Sequence, residues 1–280
     1  MKKLLSVLMV LCLLAALMAG CGKKTEEPAP AEVPAVEEPV AEEPAAEPVT
    51  EEPAPEEQPA VEVEAPAVMT YAEYAAAELD SPVCVETYVQ AKQGWWNDSV
   101  TVYSQDEDGA YFIYNMACSE ADNALLTEGS KIRVTGYKAE WSGEVEIADA
   151  TFELIEGNYV AEPADVTELL GTDELITRQN QKVRFTGLTV EPITDAEGKE
   201  AAFLYNWDGS GAEGTDSDLY FNVSFNGQTY TFVVEYYLCN ESTEVYDAVR
   251  NLKVGDVIDV EGFLYWYDGV QPHVTSVTVG

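Results

Sequence analysis

The stretch LTEGSKIRVTGYKAEWSG, Leu126–Gly143, recurs further along the chain as LKVGDVIDVEGFLYWYDG, Leu252–Gly269. The two stretches align without a gap, and the shared positions are apolar or glycine: Leu126 and Leu252, Gly129 and Gly255, Ile132 and Ile258, Val134 and Val260, Gly136 and Gly262, Gly143 and Gly269. Self-similarity of this kind indicates the duplication of one structural unit. We therefore expect two domains of the same fold.

Each copy has the pattern of a bent strand followed by a turn. In the first copy, Ile132-Arg-Val134-Thr-Gly136 alternates apolar and polar residues, which is the period of a half-buried strand. A glycine inside a strand indicates a bulge or sharp bend, which a small barrel needs in order to close. The dipeptides Ser142-Gly143 and Asp268-Gly269 then predict turns into a further strand.

A short helix and three strands are predicted before each copy. Ser119 is a helix cap in the first half, and apolar residues recur at helical spacing in the second: Val245, Ala248, Val249 and Leu252. The predicted strands are Pro82–Gln90, Val100–Gln105 and Ala110–Met116, then Lys182–Glu191, Asp218–Phe225 and Thr229–Tyr237. The last two flank Asn226-Gly227, the strongest short hairpin signal.

This order of elements resembles the OB-fold, a five-stranded Greek-key barrel with a helix between its third and fourth strands. The segments Tyr71–Ala75, Tyr103–Tyr114 and Gly129–Gly136 look like OB domains of bacterial surface lipoproteins. The resemblance implies a mainly-β chain with two tandem OB-type barrels, at residues 69–157 and 158–280. A β-sandwich is the structural alternative. Such motifs indicate the fold well and the ligand poorly.

The N-terminus has the features of an export signal at residues 1–20. Two lysines precede the apolar run Leu4–Met18, which is short for a membrane span. The run ends in Leu17-Met18-Ala19-Gly20-Cys21, which resembles the lipobox of bacterial lipoproteins, with Met18 where Leu is usual. The resemblance implies lipidation at Cys21 and a location on the extracytoplasmic face of the cell membrane. The alternatives are an ordinary secretory signal or an uncleaved anchor.

Residues 21–68 are predicted to form a disordered tether. From Thr25 onward the segment consists almost entirely of Glu, Pro, Ala and Val, without Lys or Arg. Proline blocks regular pairing and the glutamates repel one another, so little apolar surface can be buried. At about 3.1 Å per residue the tether would span roughly 130 Å.

No catalytic constellation is recognisable, so we predict a protein without enzymatic activity and without a cofactor. The only histidine, His273, follows Pro272 in the last predicted strand, where a packing or surface role is expected. No Ser-His-Asp set, His-rich zinc site or phosphate-binding glycine loop can be assembled. The acidic turn containing Asp106 and Asp108 allows loosely bound calcium, although a plain hairpin turn is the preferred interpretation.

If Cys12 belongs to the export signal and Cys21 carries the lipid, three cysteines remain: Cys84, Cys118 and Cys239. Outside the cytoplasm a Cys84–Cys118 disulfide is possible, which would leave Cys239 unpaired. Cys118 and Cys239 occupy matching places in the two halves, which favours small buried apolar roles instead. The sequence leaves the disulfide and the free thiols as open alternatives.

The net charge and the aromatic residues of the two predicted barrels indicate which classes of ligand they could bind. Residues 69–280 contain ten Lys and Arg against thirty-eight Asp and Glu, a net charge of −28, which disfavours nucleic acid. The only small basic cluster is Arg178, Lys182 and Arg184. Five tryptophans lie near predicted barrel mouths, where exposed rings can stack on sugars: Trp95, Trp96, Trp141, Trp207 and Trp266. The alternative is that these rings fill the barrels or pack one barrel on the other.

The leading functional hypothesis is therefore a membrane-anchored binding module whose ligand is a saccharide, a peptide or a surface protein. The second hypothesis is a structural or envelope-stress lipoprotein that binds cations or partner proteins. Single-stranded nucleic acid binding is the third. The oligomeric state is left open.

Overall fold

The structure is a computed structural model, and it describes residues 67–280. The predicted signal, the lipidation residue Cys21 and the tether up to residue 66 lie outside the described residues. Within residues 67–280, none of the helices combines the length and apolar character that a bilayer span requires. All described residues belong to one compact unit.

The first half forms a closed five-stranded barrel. Its elements are α1 (Tyr71–Ala76), β1 (Pro82–Lys92), β2 (Ser99–Gln105), β3 (Ala110–Ala117), α2 (Glu120–Asn123), β4 (Ser130–Trp141) and β5 (Glu144–Asn158). Around the barrel the strands follow the order β1-β2-β3-β5-β4, and β4 pairs with β1 to close it. Neighbours are antiparallel except β3 and β5, which are parallel. This is the strand order of an OB-fold.

The second half repeats that order with insertions. Its elements are β6 (Ala164–Asp165), β7 (Lys182–Glu191), β8 (Ile193–Thr194), β9 (Glu200–Ala201), β10 (Leu204–Tyr205), β11 (Leu219–Phe225), β12 (Gln228–Val234), α3 (Glu244–Arg250), β13 (Val257–Phe263) and β14 (His273–Val279). Two 3-10 turns, Thr167–Leu169 and Leu175–Arg178, precede β7. Strands β7, β11, β12, β14 and β13 close a second barrel through the β11–β7 pairing. The predicted pair of OB-type barrels is confirmed.

The alternation of the repeat determines which side chains face inward. Ile132 and Val134 on β4 are fully buried in the first core, and their counterparts Ile258 and Val260 are buried in the second. Successive strand residues point to opposite faces, so the polar residues between them face outward. The two short helices differ in burial. Val245 and Val249 of α3 are buried, whereas α2 has no buried residue. After α2, Leu126 is buried and Leu125 is 58% exposed.

The repeated glycines lie where two strands cross closely. A Cβ atom on Gly136 would lie 2.7 Å from the carbonyl oxygen of Ala148, and one on Gly262 would lie 2.3 Å from that of His273. The register of the strand pairs shifts at both positions. Glycine is required because backbone, not a flexible side chain, occupies the space.

We therefore expect Gly262→Ala to destabilise the chain by about 2–3 kcal/mol, since β14 must move away from β13. The measurement is the free energy of unfolding in urea. Gly94→Ala is the control, because its Cβ would meet nothing nearer than a carbonyl oxygen 3.9 Å away. Equal effects of the two substitutions would contradict this account of the glycine.

The structure has no Cys84–Cys118 disulfide, and both residues are buried free thiols, as is Cys239. Cys118 belongs to the first core, together with Val83 and Val85 of β1. Cys84 lies between these two valines on the strand, so it points to the opposite face of the barrel wall. The two sulfur atoms are therefore separated by the sheet, and the free-thiol alternative describes the structure.

The two barrels pack directly on each other. An aromatic cluster of Tyr103, Phe112 and Phe263 joins them, and all three residues are less than 5% exposed. Backbone hydrogen bonds cross the interface from Gly94 N–H to the Tyr237 carbonyl oxygen at 2.8 Å and from Asp268 N–H to the Ser142 carbonyl oxygen at 2.7 Å. These contacts create the walls of a cleft between the barrels.

Candidate functional site

A cleft of about 860 Å³ opens between the two barrels. The first barrel contributes the β1–β2 loop, residues of β2 and β3, the end of β4 and the start of β5. Its residues there are Gln93, Gly94, Trp95, Trp96, Ser99, Val100, Thr101, Phe112, Tyr114, Asn115, Trp141 and Glu146. The second barrel contributes Asp216, Glu235, Tyr237, Tyr265 and His273. OB barrels bind oligonucleotides and oligosaccharides on this face of strands 2 and 3, between these same loops.

Three of the five predicted tryptophans come together in this cleft. Trp96 and Trp141 are 80% and 63% exposed, whereas Trp95 is half-buried. The indole N–H of Trp95 donates a hydrogen bond to the Cys118 carbonyl oxygen at 2.8 Å, which fixes the orientation of its ring. The cleft therefore combines one immobilised indole with two accessible ones.

The position of Trp96 follows from a tight turn. Trp96 and Ser99 exchange two backbone hydrogen bonds of 3.0 Å, and the two residues between them have positive φ angles of 49° and 57°. Positive φ at both central positions is the geometry of a type I′ hairpin turn. Asn97 and Asp98 are suited to it because Asn and Asp tolerate the left-handed region. The turn holds the Trp96 backbone rigidly at the rim.

Trp207 and Trp266 do not line the cleft. Trp207 is 75% exposed and lies in the insertion between β10 and β11. Trp266 packs partly against the second core, and its backbone N–H donates to Glu144 Oε2 at 2.9 Å. The sequence repeat placed Trp266 near a barrel mouth, but that mouth is covered by the β4–β5 turn of the first barrel.

The described lining of the cleft contains three carboxylates and neither Lys nor Arg. Burial raises the pKa of Glu146, which is 9% exposed. Burial, followed by the nearby charge of Asp218, raises the pKa of Glu235 to about 7. The Glu235 carboxylate accepts hydrogen bonds from the backbone N–H groups of Tyr237 and Leu238, at 3.2 and 2.7 Å. The electrostatic character of the cleft is acidic.

His273 forms part of the floor of the cleft and carries no charge at neutral pH. Its Nδ1 lies 2.6 Å from the Tyr103 hydroxyl oxygen, and its ring stacks on Tyr265 at a centroid distance of 4.1 Å. Burial lowers its pKa to about 3. The Gln93 side-chain amide also donates to the Tyr103 hydroxyl at 3.3 Å. These contacts agree with the packing role expected for His273. The sequence did not predict that it would pack between the two barrels.

The acidic turn considered for calcium is organised as a hairpin turn. Asp106 Oδ1 accepts the backbone N–H groups of Asp108 and Gly109, both at 2.8 Å, and Oδ2 accepts the Tyr111 hydroxyl at 3.3 Å. Among residues 67–280, no group of three or more His, Cys, Asp or Glu side chains is arranged to hold a metal ion. The Asp106 oxygens are therefore occupied by the turn itself.

Comparison with known proteins gives matches in fold alone. No protein-family model matches the chain, and no curated protein matches it in sequence. A murine DNA-binding protein bound to double-stranded DNA is 10% identical, with 70% of this chain and 94% of that chain covered and a TM-score of 0.33. The Ifi202 HINa domain in complex with 20-bp double-stranded DNA is also 10% identical, with 72% and 96% covered and a TM-score of 0.32.

A replication protein A heterotrimer bound to single-stranded DNA is 12% identical, with 71% of this chain and 49% of that chain covered and a TM-score of 0.28. Similarity at this level does not transfer the ligand of those proteins to this chain. The OB assignment rests on the order and pairing of the strands.

Proposed function

We propose that the chain is a non-enzymatic, lipid-anchored extracytoplasmic module, of the kind found among bacterial surface lipoproteins, and that its inter-barrel cleft binds a saccharide. One observation carries the proposal: the OB-fold ligand face of the first barrel forms a cleft lined by aromatic rings and hydrogen-bonding side chains, with neither Lys nor Arg in its described lining. Its volume of about 860 Å³ lies within the usual range for small-ligand sites.

The lining matches the two faces of a sugar ring. The apolar C–H face can stack on Trp96 or Trp141, which are the accessible indoles. The hydroxyl groups need donors and acceptors at the edge of the ring. The cleft offers these in the amides of Gln93 and Asn115 and in the carboxylate of Asp216. A neutral ligand tolerates this acidic lining.

The predicted anchor supports a surface location. Lipidation of Cys21 would hold the chain at the membrane, since several acyl chains bind stably. A tether spanning roughly 130 Å would then carry the cleft away from the bilayer and into the cell wall.

Nucleic acid is the second candidate, because the fold neighbours with named ligands are DNA complexes. The charges of this chain weigh against it. Two members of its small basic cluster are paired with carboxylates: Arg184 with Glu261 at 2.5 Å and Lys182 with Glu128 at 3.6 Å. A phosphate backbone needs a basic track, which the described cleft lining does not provide.

We expect Trp96→Ala and Trp141→Ala each to weaken oligosaccharide binding roughly tenfold or more, about 1.4 kcal/mol, since each removes a stacking surface. The measurement is a glycan array followed by titration of the best ligand, using the soluble chain from residue 22 onward. Trp207→Ala is a matched control, because that ring is 75% exposed but lies outside the cleft.

Several results would contradict the saccharide proposal. Binding of single-stranded DNA at physiological salt, without binding of any glycan, would establish the nucleic acid candidate instead. If the chain binds only divalent cations or a protein partner, the result would support the hypothesis of a structural or envelope-stress lipoprotein. Equal losses from Trp96→Ala and Trp207→Ala would exclude the cleft as the binding site.

A further inference from the structure

Glu146 is an unpaired carboxylate in the wall of the cleft. It is 9% exposed, and its pKa is raised by burial alone. Among the described residues it takes part in no ion pair. The side chain is largely covered, but its oxygens are not among the buried atoms that lack a partner, so they open into the cleft, where a group that enters from outside can pair with them.

The strand register directs Glu146 toward the cleft. On β5, Ile147 belongs to the first barrel core, so the preceding Glu146 points outward. Its Cα pairs with that of Phe112 on β3, which lies in the aromatic cluster between the barrels. Glu146 therefore lies on β5 beside the ligand face of β3, and it lines the cleft together with Trp141 and residues of the second barrel.

The surroundings of Glu146 favour a cation over a neutral donor. Glu235 and Asp216 line the same cleft, and the aromatic rings of Tyr265 and Trp141 complete it. Ring faces attract ammonium groups, and carboxylates do so more strongly in a partly desolvated site. His273 is neutral at physiological pH and does not offset this negative field.

We propose that the cleft selects saccharides carrying a free, protonated primary amine, and that the Glu146 carboxylate accepts a hydrogen bond from that ammonium group. This inference rests on the proposed saccharide function and adds the ligand class to it. An N-acetylated sugar presents a neutral amide, whose N–H can donate a hydrogen bond but leaves the charge of Glu146 uncompensated. A uronic acid sugar is repelled by the acidic lining.

The test compares short oligosaccharides that differ only in acetylation. Tetramers of glucosamine and of N-acetylglucosamine are titrated calorimetrically into the chain from residue 22 onward, at physiological salt. We expect the glucosamine tetramer to bind at least tenfold more tightly. Glu146→Gln should abolish this preference, whereas Glu146→Asp, which keeps the charge, should retain part of it.

Two controls separate specific binding from attraction to an acidic protein. Glu140→Gln removes the same charge from an exposed position on β4, and it should leave the preference unchanged. Tetralysine carries similar positive charge without sugar rings, and it should bind weakly. If tetralysine binds as tightly as the glucosamine tetramer, or if Glu140→Gln acts like Glu146→Gln, the inference is wrong.

The failure of this inference is distinguishable from the failure of the proposed function. If the N-acetylated tetramer binds as tightly as the free amine, saccharide binding stands and the amine preference does not. If neither tetramer nor any arrayed glycan binds, both fail. Circular dichroism of each variant establishes that it is folded. If Glu146→Gln does not fold, Glu146→Asp tests the preference instead.

Discussion

At pH 9 the Glu144→Gln variant should be more stable than the parent chain by roughly 3–5 kcal/mol, and the difference should disappear near pH 4. Glu144 is fully buried where the barrels meet. Its Oε2 accepts hydrogen bonds from Trp266 N–H at 2.9 Å and from the Gln179 amide at 3.1 Å. Its Oε1 has no partner among the described residues. Burial raises the pKa of this carboxyl to about 8.

The direction of the pH effect follows from that raised pKa. The unfolded chain releases the Glu144 proton near pH 4.5, whereas the folded chain keeps it until about pH 8. Between these values the folded state binds more protons, so stability falls as the pH rises through this window. Glutamine cannot ionise, and its side-chain oxygen can still accept from Trp266 N–H.

The measurement is the free energy of unfolding in urea at a series of pH values from 4 to 9, for parent and variant. Glu140→Gln is the matched control, since that residue is exposed. Glu235, whose pKa is also raised to about 7, contributes equally to parent and variant and cancels in the difference. Parallel stability curves for parent and Glu144→Gln would contradict the assignment of this pH dependence.

The barrels were predictable because their signals are local. Alternation at Ile132 and Val134, the turn dipeptide Asn226-Gly227 and the recurring glycines each depend on a few neighbouring residues. The structure confirms that hairpin, with positive φ at both turn residues, and confirms Ser119 as the cap of α2. The insertion containing β8, β9 and β10 was not predicted, since two-residue strands carry no periodicity.

The cleft was less predictable because it depends on contacts between distant segments. In Glu144-Val-Glu146-Ile, the alternation indicates an ordinary solvent-facing side for the two glutamates. The second barrel covers that side, and nothing local reveals the covering. The same reason explains why Trp141, the last residue of β4, is exposed in the cleft, whereas Trp266, which follows β13, is partly buried. The grouping of Trp95, Trp96 and Trp141 was inferable only from the known ligand face of OB barrels.

Phe263→Ala should reduce the free energy of unfolding by roughly 3–5 kcal/mol, because it removes a large buried side chain from a well-packed site. Phe263 is 3% exposed and stacks on Tyr103 of the first barrel, with ring centroids 4.7 Å apart. Tyr137 is its counterpart in the sequence repeat and is 50% exposed. Tyr137→Ala should therefore change stability by less than about 0.5 kcal/mol.

The same substitution tests whether the barrels are separable domains. Phe263 contacts Tyr103, whose hydroxyl is bonded to His273 beneath the cleft, so its loss loosens both the interface and the floor of the site. In differential scanning calorimetry, we expect the parent to unfold in one transition and Phe263→Ala in two, as the barrels uncouple. Ligand binding should weaken in parallel. A single transition with a loss below about 1 kcal/mol would show that the polar contacts alone hold the barrels together, and it would contradict the role given to Phe263 in coupling them.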